Sequence, residues 1–305
     1  MAGRLHLAVI SPALRPAWCA RFKGRQAAIR RSVPQCRARA IHARRPVAFV
    51  CTRLGTMQRW AGRVAMVTGA SSGIGAAITK ELVNKGLRVV GMARRIDNIE
   101  ALSASLQSAP GQLYPVKADL TLENEVSSVF RWVKSNLGGV DILVNSAGTA
   151  SANSLVDGPI ENWRYILELN ILGLSICTKE ALQSMKERNV DDGHIVHINS
   201  VSGHIVPPVS DPVFMYAASK AANVSLTEGL RRELVQMNSK IRVTSISPGM
   251  VRTDLAEASG LTDPYEDNPY LEPQDVADAV LYALGTPPHV QVHELIIRPI
   301  GETMV

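Results

Sequence analysis

Acidic residues are missing from the first quarter of this chain: the first, Glu81, comes after a segment in which residues 1–60 alone hold 13 lysines and arginines. The chain has 33 basic and 27 acidic residues in all, so residues 61–305 carry 20 basic against 27 acidic ones. The sequence pI of about 9.3 therefore describes the leading segment, and the rest of the chain is acidic. That removes the electrostatic argument for a nucleic-acid partner. Cysteine is scarce, four in 305 residues, and Cys19, Cys36 and Cys51 lie in the basic segment, which leaves Cys177 alone. That distribution argues against a disulfide framework or a cysteine zinc site and for a reducing compartment. His194 and His197 flank a strand with no third ligand in register, so no metal is expected. No run of 18 apolar residues occurs, so no membrane span is expected.

Residues 57–305 suit one α/β domain with a large core. Residues 1–56 read as a separate basic extension, either a targeting presequence, a disordered arm or an artefact of the gene model. Translation from Met57 would give a cytoplasmic protein, and an extension that is a targeting presequence would direct it to the mitochondrion.

Strands are expected over 63–68, 88–93, 113–117, 141–145, 194–199, 241–247 and 290–298. Helices are expected over 73–85, 96–107, 122–137, 160–188, 213–238 and 273–284. The alternation predicts a single doubly wound Rossmann-type domain with a seven-stranded parallel sheet. The stretch 249–272 has no clear period, and long loops in compact domains are usually functional or disordered.

Two motifs carry chemistry. Thr68-Gly69-Ala70-Ser71-Ser72-Gly73-Ile74-Gly75 lies between an apolar strand and a helix. Glycines there permit a tight turn and close backbone approach, and the free N–H groups of the helix N-terminus suit a pyrophosphate. The second motif is Tyr216-Ala217-Ala218-Ser219-Lys220. Positions i and i+4 share a helix face, so phenol and ammonium can enter one pocket. A fixed positive charge beside a phenol favours the phenolate, which would bring an ordinary pKa near 10 toward a useful range.

The glycine loop and the Tyr-x-x-x-Lys pair together resemble the short-chain dehydrogenase/reductase family over about residues 60–305. Further landmarks come in order: Asn145-Ser146-Ala147-Gly148, Asn170, Ser200 and Pro248-Gly249. Ser146 departs from the usual second asparagine. The segments 185–195 and 286–302 are similar to the branch that holds insect farnesol dehydrogenases and the vertebrate dehydrogenase/reductase member 11 group.

The resemblance implies an oxidoreductase with Tyr216 as proton carrier, Lys220 as its cationic partner and ribose contact, Ser200 holding the substrate oxygen, and Asn170 positioning a water. Ser202 is the other candidate serine, but Ser200 ends its strand directly. Implied cofactor contacts are Gly69, Ser71, Ser72, Gly73, Ile74, Gly75, Asp119, Leu120, Asn145, Pro248, Gly249 and Val251, with Tyr216 and Lys220. Asp119 has a second reading, as a cap for the helix near Leu122. Ala93 stands where a carboxylate would select NAD, and Arg94 and Arg95 come next, which favours NADP. Ser72 occupies the place where some NADP-binding relatives carry a basic residue.

The implied substrate is a small lipophilic alcohol or its aldehyde or ketone, against a wall of Ile205, Val206, Val209 and Met250, with a lid near 249–272. Farnesol oxidation, keto-steroid or carbonyl reduction, and a non-catalytic NADP-binding scaffold are the competing readings. A homodimer or homotetramer through the two long helices is implied in the same way.

Overall fold

The protein is described here by a computed structural model covering residues 57–206, 208, 212–260, 265 and 268–302. The basic extension 1–56 lies outside the described residues, as does Val209.

Seven strands form one parallel sheet: β1 (Val64–Thr68), β2 (Arg88–Ala93), β3 (Gln112–Lys117), β4 (Ile142–Asn145), β5 (His194–Ile198), β6 (Arg242–Pro248) and β7 (Glu294–Ile297). Their order is β3-β2-β1-β4-β5-β6-β7. The strand order reverses beside β1, between its partners β2 and β4. In open sheets of this kind ligands bind beyond the strand C-termini at such a switch point.

The helices are α1 (Gly73–Asn84), α2 (Ile96–Ser105), α3 (Glu123–Leu137), α4 (Ile160–Leu167), α5 (Leu174–Glu187), α6 (Phe214–Gln236), α7 (Asp254–Ala258) and α8 (Pro273–Gly285). Burial on both sheet faces explains the unbroken apolar strands. In β1, Ala65 and Val67 join the core that packs α1 and α8, while Val64 and Met66 join the core over α3 and α5. Helix α3 turns Val126, Val129, Phe130, Val133 and Leu137 inward and stops at Gly138, whose φ is 86°. Helix α8 starts at Pro273 behind a capping box between Glu272 and Asp275. A short 3-10 turn, Met57–Trp60, fastens onto the end of α8, with Trp60 Nε1 donating to the Leu284 carbonyl at 2.9 Å.

Three expectations need correction. The helix expected over 160–188 is not continuous: a π-helical turn, Glu168–Gly173, separates α4 from α5. Such turns widen the helix by one residue and often mark functional sites, and this one carries Asn170. The last strand is shorter than 290–298, since β7 spans only Glu294–Ile297. The stretch 249–272 contains α7 and a β-bridge between Val251 and Leu271, so it is partly ordered by its own bonds.

Candidate active site

A cavity of about 650 Å³ opens beyond the C-terminal ends of β1, β2, β4, β5 and β6. It runs from the glycine loop and Asp119 at one end to Ser200, Tyr216 and Lys220 at the other.

The loop after β1 is shaped by backbone demands. Gly69 has a φ of +70°, and a Cβ there would stand 2.8 Å from the Ala147 Cα. A Cβ on Gly75 would meet the Gly69 carbonyl oxygen at 2.2 Å. Only glycine fits either place, so the loop crosses the end of β4 closely. Thr68 Oγ1 accepts the backbone N–H groups of Ser146 and Ala147 at 3.0 and 3.1 Å and holds the two strand ends together. The first turn of α1 faces the cavity through Gly73, Ile74 and Gly75. An elongated cavity with a glycine cradle and helix N-terminus at one end fits a dinucleotide.

Ser71, Ser72, Arg94, Arg95, Asp119 and Leu120 line that same end. Arg95 donates to Ser72 Oγ at 2.7 Å and lies 3.8 Å from Asp254 of α7. A guanidinium that follows β2 thus stands beside Ser72 of the glycine loop. Arg94 lies over the Tyr165 ring, 5.8 Å from its centroid. Asp119 Oδ1 accepts from the Thr121 N–H at 3.0 Å and from its hydroxyl at 2.8 Å, an Asx turn before α3. The helix-cap reading needs correction: Leu122 is the N-cap of α3 with no side-chain cap bond, and Asp119 shapes the turn before it while lining the cavity.

At the far end, α6 presents Tyr216 and Lys220 one turn apart, and Ser200 comes just after β5. Ser200 and Tyr216 line the same end of the cavity, and the Ser200 hydroxyl acts on the phenol to lower its pKa. Ser200 Oγ also accepts the Ser202 N–H at 3.1 Å, which fixes the turn Val201–Gly203. Ser200 and Ser202 both line the cavity, and Ser200 is the one whose hydroxyl acts on the phenol's pKa. Lys220 is 6% exposed and donates from Nζ to the Ile198 carbonyl at 2.9 Å. Burial brings its ammonium down to a pKa of about 8. Its Nζ lies 5.5 Å from the Tyr216 ring centroid. Burial raises the Tyr216 phenol above its ordinary value, and the Ser200 hydrogen bond acts the other way. The expected lowering of Tyr216 is thus outweighed in this site by desolvation.

Two predicted residues stand behind the cavity wall. Asn145 is buried and donates to Thr178 Oγ1 at 3.0 Å, out of line with the cavity surface. Asn170 accepts the Thr149 N–H at 2.9 Å and donates to the Thr149 carbonyl at 2.8 Å and to Ser219 Oγ at 3.0 Å. It holds the wall segment Gly148–Thr149 in place rather than forming its surface. Pro248, Gly249 and Val251 line the cavity as expected, and so does Met250. Ile205 and Val206 do not, and Val206 is 79% exposed. Leu169, Val201, Pro208, Val213 and Leu255 make the apolar wall instead. His194 and His197 are wholly buried, the first against Thr244 and the second between Thr227 and Thr178. Burial holds His197 neutral, with its pKa lowered to about 4.

The sequence profile described as short chain dehydrogenase matches residues 63–263. The chain belongs to the short-chain dehydrogenase family. Members of this family are oxidoreductases that bind a nicotinamide cofactor. The chain is 51% identical over 256 residues to dehydrogenase/reductase SDR family member 11 of Mus musculus, covering 81% of this chain and 98% of that one. It is 51% identical over 250 residues to farnesol dehydrogenase of Aedes aegypti, covering 81% and 99%. Among solved structures, this short-chain dehydrogenase is similar to an alcohol dehydrogenase of Thermococcus sibiricus complexed with 5-hydroxy-NADP. The TM-score is 0.70 at 27% identity, over 79% of this chain and 98% of that one. A serine dehydrogenase complexed with NADP+ matches with a TM-score of 0.70 at 28% identity, over 79% and 96%. Among the described residues, no helix is long and apolar enough to cross a membrane.

The sequence reading missed Glu302, which lines the cavity from the far end of the chain. No motif announces it, because its position depends on a turn after β7.

Proposed function

We propose that this protein is an NADP(H)-dependent dehydrogenase that interconverts a lipophilic alcohol, of which farnesol is the leading candidate, and its aldehyde or ketone. The observation that carries the reading is a single cavity lined by Ser200, Tyr216, buried Lys220 and the glycine cradle together. The apolar wall supports a lipophilic substrate. The relative named for farnesol supports an isoprenoid alcohol.

A nicotinamide held in this cavity would supply the hydride chemistry. Ser200 holds the alcohol oxygen beside the phenol. Tyr216 takes the hydroxyl proton during oxidation and gives it back during reduction. Lys220 offers a buried positive charge that stabilises the phenolate as it forms. Asn170 keeps Gly148–Thr149 in register with α6 through Ser219. Gly69, Gly73 and Gly75 with the start of α1 would hold the pyrophosphate. Arg94 and Arg95 favour a 2′-phosphate, and Ala93 offers no carboxylate to a ribose 2′-hydroxyl.

The test is to monitor reduced-cofactor absorbance with farnesol and either NADP or NAD. Farnesol-dependent reduction of NADP, with NAD at least tenfold poorer in kcat/KM, is the expected result. Steroid or dicarbonyl reduction without farnesol turnover would keep the chemistry and replace the substrate. Binding of NADPH with no turnover on any alcohol or carbonyl would replace the enzyme by a scaffold.

A further inference from the structure

Beyond β7 the chain turns back toward the cavity. The Glu302 N–H donates to the Pro299 carbonyl at 3.3 Å, and Gly301 makes the bend with a φ of +86°. The turn carries the Glu302 side chain inward until it is only 3% exposed. Its Oε1 accepts the Met250 N–H at 2.9 Å, and its Oε2 accepts from Arg298 Nε at 2.5 Å. A buried carboxylate is tolerated when it is both paired and hydrogen-bonded, and this one is.

The partner segment is where β6 leaves the sheet. Pro248 still pairs with Ile297 of β7, and the Gly249 N–H donates to the Ile297 carbonyl at 2.8 Å. The next N–H, that of Met250, would have no strand to receive it, and Glu302 does so. A Cβ on Gly249 would stand 2.6 Å from Glu302 Oε2. The glycine therefore leaves room for the carboxylate to pack against the backbone. Gly249, Met250 and Glu302 all line the cavity, and the chain continues from Met250 into 249–272 and α7.

We infer that Glu302 is a positioning residue for the active cavity: through Met250 it sets the backbone of the Gly249–Met250 wall and the root of the segment above it. The inference rests on the cavity being the dinucleotide and substrate site. The hydrogen bond to Met250 is the working element, because a glutamine carbonyl can accept the same N–H while carrying no charge.

The experiment compares the full chain with Glu302→Ala, Glu302→Gln and Glu302→Asp. NADPH and NADH are titrated directly by fluorescence, farnesol kinetics give KM and kcat, and thermolysin cleavage within 249–272 is timed without any cofactor. Glu302→Ala is expected to raise the Kd of the preferred dinucleotide and the farnesol KM about tenfold, as for one buried hydrogen bond. Its kcat should stay within about threefold, and cleavage within 249–272 should quicken at least fivefold. Glu302→Gln should restore all of these to within about twofold. Glu302→Asp keeps the charge but shortens the reach, so it must weaken both constants even if the alanine chain does not fold. A change confined to Tm or kcat overturns the inference, and so does a glutamine chain as impaired as the alanine one. If the unaltered protein binds neither dinucleotide, the functional reading fails, and the cleavage rates alone decide the role of Glu302.

Discussion

Lys220→Met should make the protein more stable and far less active. The ammonium is 6% exposed, donates to the Ile198 carbonyl at 2.9 Å, and has its pKa lowered by burial from 10.5 to about 8. A gap of about 2.5 pKa units corresponds to about 3 kcal/mol of cost for holding the charged form in the fold. The folded-state pKa is the lower one. Between pH 8 and 10.5 the unfolded chain keeps a proton that the folded chain has released, so stability rises with pH across that window. It falls as pH drops through 8, and below 8 the whole cost applies. Methionine fills nearly the same volume without the charge, at the loss of one hydrogen bond worth about 1 kcal/mol. The variant should therefore be about 2 kcal/mol more stable at pH 7, or about 4–8 °C in Tm for a domain of this size. Denaturant unfolding of both proteins from pH 7 to 9.5 measures this. Tyr216 is raised by burial and titrates against the trend, but it is present in both chains, so the difference between them isolates Lys220. The stability gap should narrow by about 2 kcal/mol between pH 8 and 9.5. Turnover should fall by more than about a hundredfold. A variant less stable at pH 7, or one with the same alkaline rise as the unaltered protein, would refute the reasoning.

Replacing Arg94 and Arg95 together by alanine should weaken NADPH about a hundredfold and NADH less than about threefold in direct titration, since charge-assisted bonds to phosphate are worth about 1.5–3 kcal/mol each. Gly69→Ala must place a side chain at a φ of +70° and 2.8 Å from the Ala147 Cα. It should cost at least about 1–2 kcal/mol in chemical denaturation and raise the dinucleotide Kd more than tenfold. His197 has a folded pKa of about 4 against an ordinary 6.5, so its contribution is present above pH 6.5 and lost as pH falls toward 4. Acid titration of stability should show a decline of up to about 3 kcal/mol across that window, and His197→Gln should reduce it.

Much of the site is legible in sequence because its parts are local. The glycine loop is contiguous, and Tyr216 and Lys220 are one helical turn apart. Ser200 is marked by where an apolar strand stops. The apolar strands read cleanly because both sheet faces are covered. What escapes the sequence depends on tertiary placement. The π-helical turn at Glu168–Gly173 has ordinary helix-forming residues, and its extra residue leaves no signature in the apolar period. Asn145 and Asn170 keep their family positions, yet their side chains bond to Thr178 and Thr149 one layer behind the cavity. The wall residues Ile205 and Val206 are apolar, but the turn after Ser200 points them elsewhere. Charge alone predicts that Lys220 lowers the Tyr216 pKa, whereas burial decides the direction here. Glu302 reaches the cavity across 52 residues of sequence from Met250, a distance no local pattern spans.

Tyr216 is the group assigned to move the proton. Tyr216→Phe keeps the ring that lies beside Lys220 and removes only the hydroxyl. The decisive measurement is NADP-linked farnesol oxidation by this variant beside the unaltered protein, with NADPH binding measured in both. Unchanged binding with turnover reduced by more than about a thousandfold is the predicted result. Turnover within about tenfold of the unaltered protein would contradict the mechanism.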